Sequence, residues 1–366
     1  MSKIEYKELI AFHPGYYLKE MIEYEGMNQD ELAKRLKTSG KNISDLINGK
    51  ANLSDEMALN LSIVFGTSVS LWLNLNKKYI EKKLEIDKRM QDDKECELLK
   101  KIDYKFWSDL GLVETTTRTI DKVKALQSYF RIASLEVLCR RDFLVQYRTT
   151  ITHLEDINVM NANAWVQTAI NIGNQKQVNV FNKKLLIEYL PEIRKMTLQN
   201  PEIFYPRLEQ LLAECGVALV LLPNLRNCGI NGAVKWVNKE KVILAINNRR
   251  KYADTFWFSL FHELGHVLQQ RIKVLLVSGD EVLNNSDELL QRLEKEADMF
   301  SQNVLIPEQA YREFLRKTWT IYENDIINFA REIGVHPGIV LGRLQMEKIV
   351  PYNTKMNSLK IKYEVA

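Results

Sequence analysis

The spacing of apolar residues sorts the chain into a few kinds of element. Between residues 13 and 76 it repeats at three and four, in short blocks closed by glycine. His13-Pro14-Gly15 opens the first block, with Leu18, Met21 and Ile22 inward and Gly26 at its end. Asn28 is an N-cap for the second, with Glu31 placed to complete a capping box, and Leu32, Ala33 and Leu36 form its packed face. After Lys37-Thr38-Ser39-Gly40, a third helix from about Lys41 to Asn48 buries Ile43, Leu46 and Ile47 and closes at Gly49. Ser54 caps a fourth through Met57, Leu61, Val64 and Phe65, ended by Gly66.

Residues 77–103 lose the apolar stripe. Pairs such as Glu85 with Arg89 and Glu97 with Lys101 predict a solvated spacer helix. Residues 104–212 return to helical clusters around Phe106, Trp107, Tyr129, Phe130 and Trp165. Loops are expected at Thr115-Thr116-Thr117 and Gly173-Asn174, and His153 stands alone. Over 213–250 the period becomes that of strands. Val217–Leu222, Gly232–Val237 and Val242–Ile246 predict a small sheet, with Gly232–Val237 taken as its edge, where an extended peptide can pair. Phe256–Leu268 is again helical, with Trp257, Leu260, Phe261, Leu264 and Leu268 on one stripe. Gly265 inside it costs ~1 kcal/mol relative to alanine, which implies close approach of another segment. Residues Asn357–Tyr363 are expected to form a short strand or an extended arm.

Composition narrows the class. The 46% hydrophobic and 27% charged content is that of a globular protein, and the length fits two or three domains. No run of eighteen apolar residues predicts a membrane span, and the first residues show no secretory core. Cys96, Cys139, Cys215 and Cys228 are scattered without a C-x-x-C pair, which fits a reducing cytoplasm. The net charge of +4 does not by itself imply nucleic acid.

The chemistry concentrates in Phe256–Leu268. His262 and His266, four residues apart, present both imidazoles on one helical face, a spacing that binds Zn²⁺. Glu263 is placed as general base on a water molecule. The alternative is a core helix with two hydrogen-bonded histidines. Downstream, Glu294 can supply a third ligand and Asp298, one turn on, can hold the second nitrogen of a histidine ring; Glu296 points to the other side and ranks behind Glu294. His336, before Pro337, can either stabilise an oxyanion or cap the helix that follows.

F-x-L-F-H-E-L-G-H, then E-x-E-A-D-x-F and a closing L-I-P, resembles the ImmA/IrrE family of zinc metallopeptidases. The resemblance implies a gluzincin-type core with zinc ligands His262, His266 and Glu294 and Glu263 as base. Ser301 stands where that family commonly has alanine. The stretch N-Q-D-E-L-A-K-R-L-x-x-S-x-K-N-I-S-D-L-I-N-G-K, with H-P-G-Y-Y-L-K-E before it and M-A-L-N-L-S-I-V-F-G-T-S after, resembles the Xre/HigA family of DNA-binding antitoxins. It implies a lambda-repressor-like helix-turn-helix bundle, operator DNA, a homodimer, and a cognate toxin or repressor protein as partner or substrate. The third helix would read DNA, with Gln29, Lys34, Lys41, Asn42, Ser44, Asn48 and Lys50 as contacts. Against this, residues 1–80 hold ten Lys/Arg and ten Asp/Glu.

The expected architecture is multidomain and mainly α. A helix-turn-helix bundle occupies 1–80, a charged helical linker 81–103 and a helical middle region 104–212. An α+β zinc peptidase core with a small sheet follows at 213–350, and a tail at 351–366. The function expected is that of a transcriptional regulator or antitoxin with a zinc-dependent endopeptidase domain. The alternative is a toxin–antitoxin repressor whose zinc domain senses or scaffolds.

Overall fold

The computed structural model describes residues 3–141, 143, 156–247, 252–270, 276–279 and 288–363; His153 lies outside them. Two compact units emerge, Met1–Leu98 and Leu99–Ala366.

The first unit opens on a hairpin that the periodicity reading above does not anticipate. Strands β1 (Lys3–Tyr6) and β2 (Leu9–Phe12) pair antiparallel, and the chain reverses through Lys7 at φ 52°. Helices α1 (Pro14–Tyr24), α2 (Gln29–Arg35), α3 (Gly40–Ile47), α4 (Asp55–Phe65) and α5 (Val69–Leu99) follow. Their starts are set locally. Asn28, Ser39 and Ser54 each accept a backbone N–H three residues on, and Gly66 closes α4 in the left-handed region at φ 62°. Glu31 does not complete a capping box; its carboxylate takes Arg35 at 2.6 Å instead. Leu18, Leu32, Ile43, Leu61 and Trp72 form the bundle core, and Ala33 is small enough to be buried in it. The spacer is not a separate element, because α5 runs unbroken from Val69. Ile4, Tyr6 and Leu9 of the hairpin pack with Ala11 against Tyr79 and Ile86 of α5. Glu85 pairs with Lys82 at 2.8 Å rather than with Arg89, so the i,i+3 neighbour on its N-terminal side wins.

The second unit holds α6 (Lys105–Asp109), α7 (Thr119–Phe130), α8 (Asp156–Gln175), α9 (Lys183–Lys195), α10 (Pro201–Glu214), α11 (Ala253–Gln269), α12 (Glu288–Leu305), α13 (Glu308–Lys317), α14 (Glu323–Ile333) and α15 (Pro337–Met346). Its sheet comprises β3 (Val217–Leu222), β4 (Ile230–Trp236), β5 (Val242–Asn247) and β6 (Leu276–Gly279), in the order β3-β5-β4-β6. β3 and β5 are parallel; β4 is antiparallel to both β5 and β6. The expectation that Gly232–Val237 is the edge is therefore wrong. β4 is internal, because β6, from beyond α11, adds to its outer side.

The sheet is covered on both faces, which explains why every residue of β5 is buried. α8 packs on β3 and β5, and α11 packs on β4 and β5. Gly173-Asn174, expected as a loop, lies inside α8. The glycine is a packing device there, since a Cβ would come 2.6 Å from Ile243 Cγ2. The middle region shares one core with the sheet and α11. Leu186, Ile193, Phe204 and Leu211 join Val234, Leu244, Trp257 and Phe261 in a single cluster. The tail is neither strand nor free arm. A 3₁₀ turn at Lys355–Leu359 leads to a bridge between Lys362 and Tyr252. Beyond it, buried Tyr363 receives the Trp257 indole N–H at 2.8 Å.

The tripeptide His-Pro-Gly occurs twice, and both copies start a helix the same way. His13 Nδ1 accepts from Gly15 N at 3.0 Å, and His336 Nδ1 from Gly338 N at 3.1 Å. The glycines differ in what they face. A Cβ on Gly15 would collide with the Leu46 backbone carbonyl of α3, with its carbon at 2.7 Å, whereas one on Gly338 would meet Leu359 O at 3.0 Å near the chain end. Gly15→Ala should therefore destabilise the chain by about 3 kcal/mol or more, and Gly338→Ala by about 1 kcal/mol or less. Thermal melts of the two variants check this, and equal losses would contradict it.

Candidate metal centre and nucleic-acid interface

Two helices build the candidate metal centre. Gly265 of α11 lets α12 approach, with a hypothetical Cβ only 3.1 Å from Ala297 Cα and 3.2 Å from Phe300. This is the close approach that a mid-helix glycine implied. It brings Glu294 of α12 against both histidines of α11, with His262 Nε2 at 3.2 Å from one carboxylate oxygen and His266 Nε2 at 3.2 Å from the other. The two Nε2 atoms are 3.0 Å apart. His262, His266 and Glu294 are the group among the described residues whose ligand atoms converge within 4.8 Å.

The outer nitrogens say which form the rings take. His262 Nδ1 lies 2.8 Å from Asp298 Oδ1, and His266 Nδ1 lies 2.9 Å from Gln269 Oε1. Both partners are acceptors, so each Nδ1 carries its proton and each Nε2 of a neutral ring presents a lone pair. Two such lone pairs and a carboxylate facing one another repel unless a positive charge lies between them. The donor set therefore fits a divalent cation with nitrogen and oxygen ligands. Without one, a proton takes the place. Burial opposes charge on His262, but Asp298 and Glu294, with the charge of Glu263 behind them, push its pKa up to about 10. Burial likewise opposes charge on Glu294, but hydrogen bonds from His262 and His266 hold its pKa down at about 2.

Glu263 is fully buried and turns to the sheet. Its carboxylate occupies the position a Cβ on Gly232 would take, with Cδ 2.6 Å from that point. Gly232 was read only as part of a strand, although a glycine inside a strand is itself a signal of close approach. Gln269 was also missed; its signal is a place one turn beyond His266. Glu296 pairs with Arg292 at 2.8 Å, away from the cluster, and Ser301 donates to Asp298 O at 2.9 Å.

The structure does not bring His336 to the other candidates. Its Nδ1 is used in capping α15, and burial lowers its pKa, with the charge of Asp254 opposing. Asp254 precedes His262 by two turns of α11, about 12 Å of rise. Of the two readings of His336, the helix cap is the one realised.

On the first unit, Gln29, Lys34, Lys41, Asn42, Asn48 and Lys50 are exposed along α2, α3 and the turn after it, while Ser44 is half-buried. Ser44 and Asn48 are bonded to each other, the Asn48 amide donating to Ser44 O at 2.8 Å. Asn42 donates to Thr38 Oγ1 at 2.9 Å.

These features define a helix-turn-helix unit followed by an α+β unit that carries a cluster of two histidines and a glutamate. Comparison with known proteins agrees. Residues 18–72 match the helix-turn-helix family, and residues 231–345 match the IrrE N-terminal-like domain, peptidase family M78. The first unit is 35% identical over 66 residues to the uncharacterized HTH-type transcriptional regulator YddM of Escherichia coli, covering 70% of that protein and 18% of this chain. It is 40% identical over 68 residues to virulence-associated protein A' of Dichelobacter nodosus, covering 59% of it and 18% of this chain. It is 36% identical over 76 residues to HTH-type regulator YbaQ of Escherichia coli, covering 67% of it and 21% of this chain. The chain belongs to the helix-turn-helix transcriptional regulators and carries a peptidase-family M78 domain. No helix among the described residues is long and apolar enough to cross a membrane.

The metal-free protein should show the cluster's titration. The stability contributed by a raised His262 is whole below pH 6.5 and is lost as pH climbs toward 10; that of a lowered Glu294 is whole above pH 4.5 and is lost as pH falls toward 2. Chelator-treated protein should thus melt highest between about pH 4.5 and 6.5, and His262→Ala should flatten the alkaline fall. A wild-type melting temperature that holds constant from pH 6.5 to 10 contradicts this.

Proposed function

We propose that the chain is a DNA-binding regulator whose second unit is a zinc-dependent endopeptidase acting on a specific regulatory or partner protein. The observation that carries the reading is the pair of opposed Nε2 atoms with Glu294 between them, beside a buried glutamate. His262, His266 and Glu294 would hold Zn²⁺. Zn²⁺, when bound, supplies Lewis acidity to a scissile carbonyl and lowers the pKa of water. Glu263 takes a proton from the attacking water and passes it to the leaving amine; its burial against Gly232 holds the carboxylate in one place for both transfers. Asp298 and Gln269 keep both rings in the tautomer that ligation requires. His336 has no part in this scheme.

Zinc-loaded protein incubated with the repressor- or toxin-like product of a neighbouring reading frame should cut it at a defined bond. Glu263→Gln should lower the rate by about a thousandfold, and Gly232→Ala, which displaces Glu263, by about a hundredfold, both with metal retained. No cleavage of any candidate, or equal cleavage by Glu263→Gln, overturns the peptidase reading. In that event the alternative is a repressor, of antitoxin type, whose zinc domain senses or scaffolds. It predicts that zinc occupancy alters operator affinity.

In the cytoplasm the first unit would bind operator DNA as a homodimer, with the N-terminal end of α3 in the major groove. On DNA from upstream of its own reading frame, Lys41→Ala should weaken binding to all sequences alike and reduce the salt slope by about one. Asn42→Ala should relax preference at one base position. A gel-shift titration at several salt concentrations checks both, and an unchanged slope in Lys41→Ala removes that residue from the interface.

A further inference from the structure

The most constrained polar side chain beside the metal centre is one the sequence did not mark. Gln269 is the last residue of α11, and its amide faces two different things. Nε2 donates to Leu293 O of α12 at 2.8 Å, and Oε1 lies 2.9 Å from His266 Nδ1. A carbonyl cannot donate, so the nitrogen of the amide must face Leu293 and the oxygen must face the imidazole. The orientation of the amide is thereby fixed by a backbone carbonyl, and the His266 tautomer is fixed by the amide. Leu293 immediately precedes Glu294. One side chain thus orients the second histidine and also tethers the residue next to the carboxylate that faces it. His266 is fully buried, so solvent cannot replace the acceptor. His262 is served differently, by Asp298, which is about half exposed.

From this geometry we infer that Gln269 is a positioning residue that couples His266 to Glu294 across the two helices and so sets the metal affinity of the site. The inference rests on the reading of His262, His266 and Glu294 as ligands. It assigns the neutral, half-buried amide, which bonds to both helices, rather than the exposed carboxylate, as the support on which ligand spacing depends.

Two substitutions separate its two bonds. Gln269→Leu loses both. Gln269→Glu keeps an acceptor for His266 but sets a second oxygen against Leu293 O, which breaks the tether. Zinc affinity of the full chain, measured by competition with a chromophoric chelator, should fall about 10- to 100-fold in Gln269→Leu and about tenfold in Gln269→Glu. Asp298→Asn should lose less than Gln269→Leu. Melting of the metal-free forms should fall by a few degrees, from the donor and acceptor left unpaired, and by clearly less than melting of the zinc-loaded forms. Affinity within twofold of wild type in Gln269→Leu overturns the inference. So does a metal-free melting temperature that drops as far as the loaded one, since that is the mark of a purely structural role. If wild type itself binds no zinc, the ligand reading and this inference fall together. If wild type binds zinc and the variants match it, this inference alone fails.

Discussion

Three lone-pair donors facing one another across about 3 Å are an electrostatic demand, and the second unit is built to maintain it. His262, His266 and Glu294 come from two helices, and nothing in either helix alone would hold them so close. The contact between Gly265 and Ala297 sets the spacing of α11 and α12. Other elements fix the helices themselves. Arg194 of α9 donates to Leu305 O at the end of α12, and buried Arg343 of α15 donates to Ile306 O just beyond it. The Trp257–Tyr363 bond and the backbone bond from Ala253 N to Ile361 O hold the other end of α11. A packed interior with few voids cannot relax toward a wider, less repulsive cluster, so the repulsion is relieved by a proton or by a cation. The same crowding of charge raises the pKa of His262 and would favour a cation between the three side chains.

The sheet is equally part of the arrangement. On β4, Gly232, Val234 and Trp236 share a face. Val234 and Trp236 belong to the core that includes Phe261 and Leu264, and Gly232 leaves the gap into which the Glu263 carboxylate fits. A buried carboxylate beside two imidazoles is costly unless charges balance. Here Glu263 contributes to the raised pKa of His262, so it belongs to the same charge set as the ligands. The pairing of β4 with β6 on one side and β5 on the other keeps Gly232 from shifting.

What could be read from the sequence was what sequence neighbours decide. The caps at Asn28, Ser39 and Ser54, the αL glycine at Gly66 and the single face shared by His262 and His266 depend on residues within one or two turns, and all are present. Gly265 was legible too, because its cost inside a helix required a compensating contact. The failures are non-local. Nothing near Gly232–Val237 announces that a strand from beyond α11 will cover it. Gly173 looks like a loop residue until Ile243, seventy positions on, fills the space where its Cβ would be. The hairpin at residues 3–12 is held by α5, far along the chain. Gln269 lay hidden because its importance comes from a carbonyl on another helix. At His336 the helix-cap reading is present, as in the same tripeptide at residue 13.

The charge balance of the first unit bears on how the two units fit one role. Arg35 is neutralised by Glu31, and Lys34, Lys37, Lys41 and Lys50 are the cations around α2 and α3 that make no ion pair among the described residues. Under the proposed function, phosphate contacts by these four would give a salt slope of roughly −4, too shallow to hold DNA firmly at physiological salt without a second copy. A module binding that weakly would be sensitive to anything that changes the state of a second copy. Tight binding of the isolated module would leave little for a metal site to regulate. Under the proposed function, marginal binding would leave operator occupancy open to control by metal or by cleavage, and the balance of ten Lys/Arg against ten Asp/Glu would be the physical condition for that control.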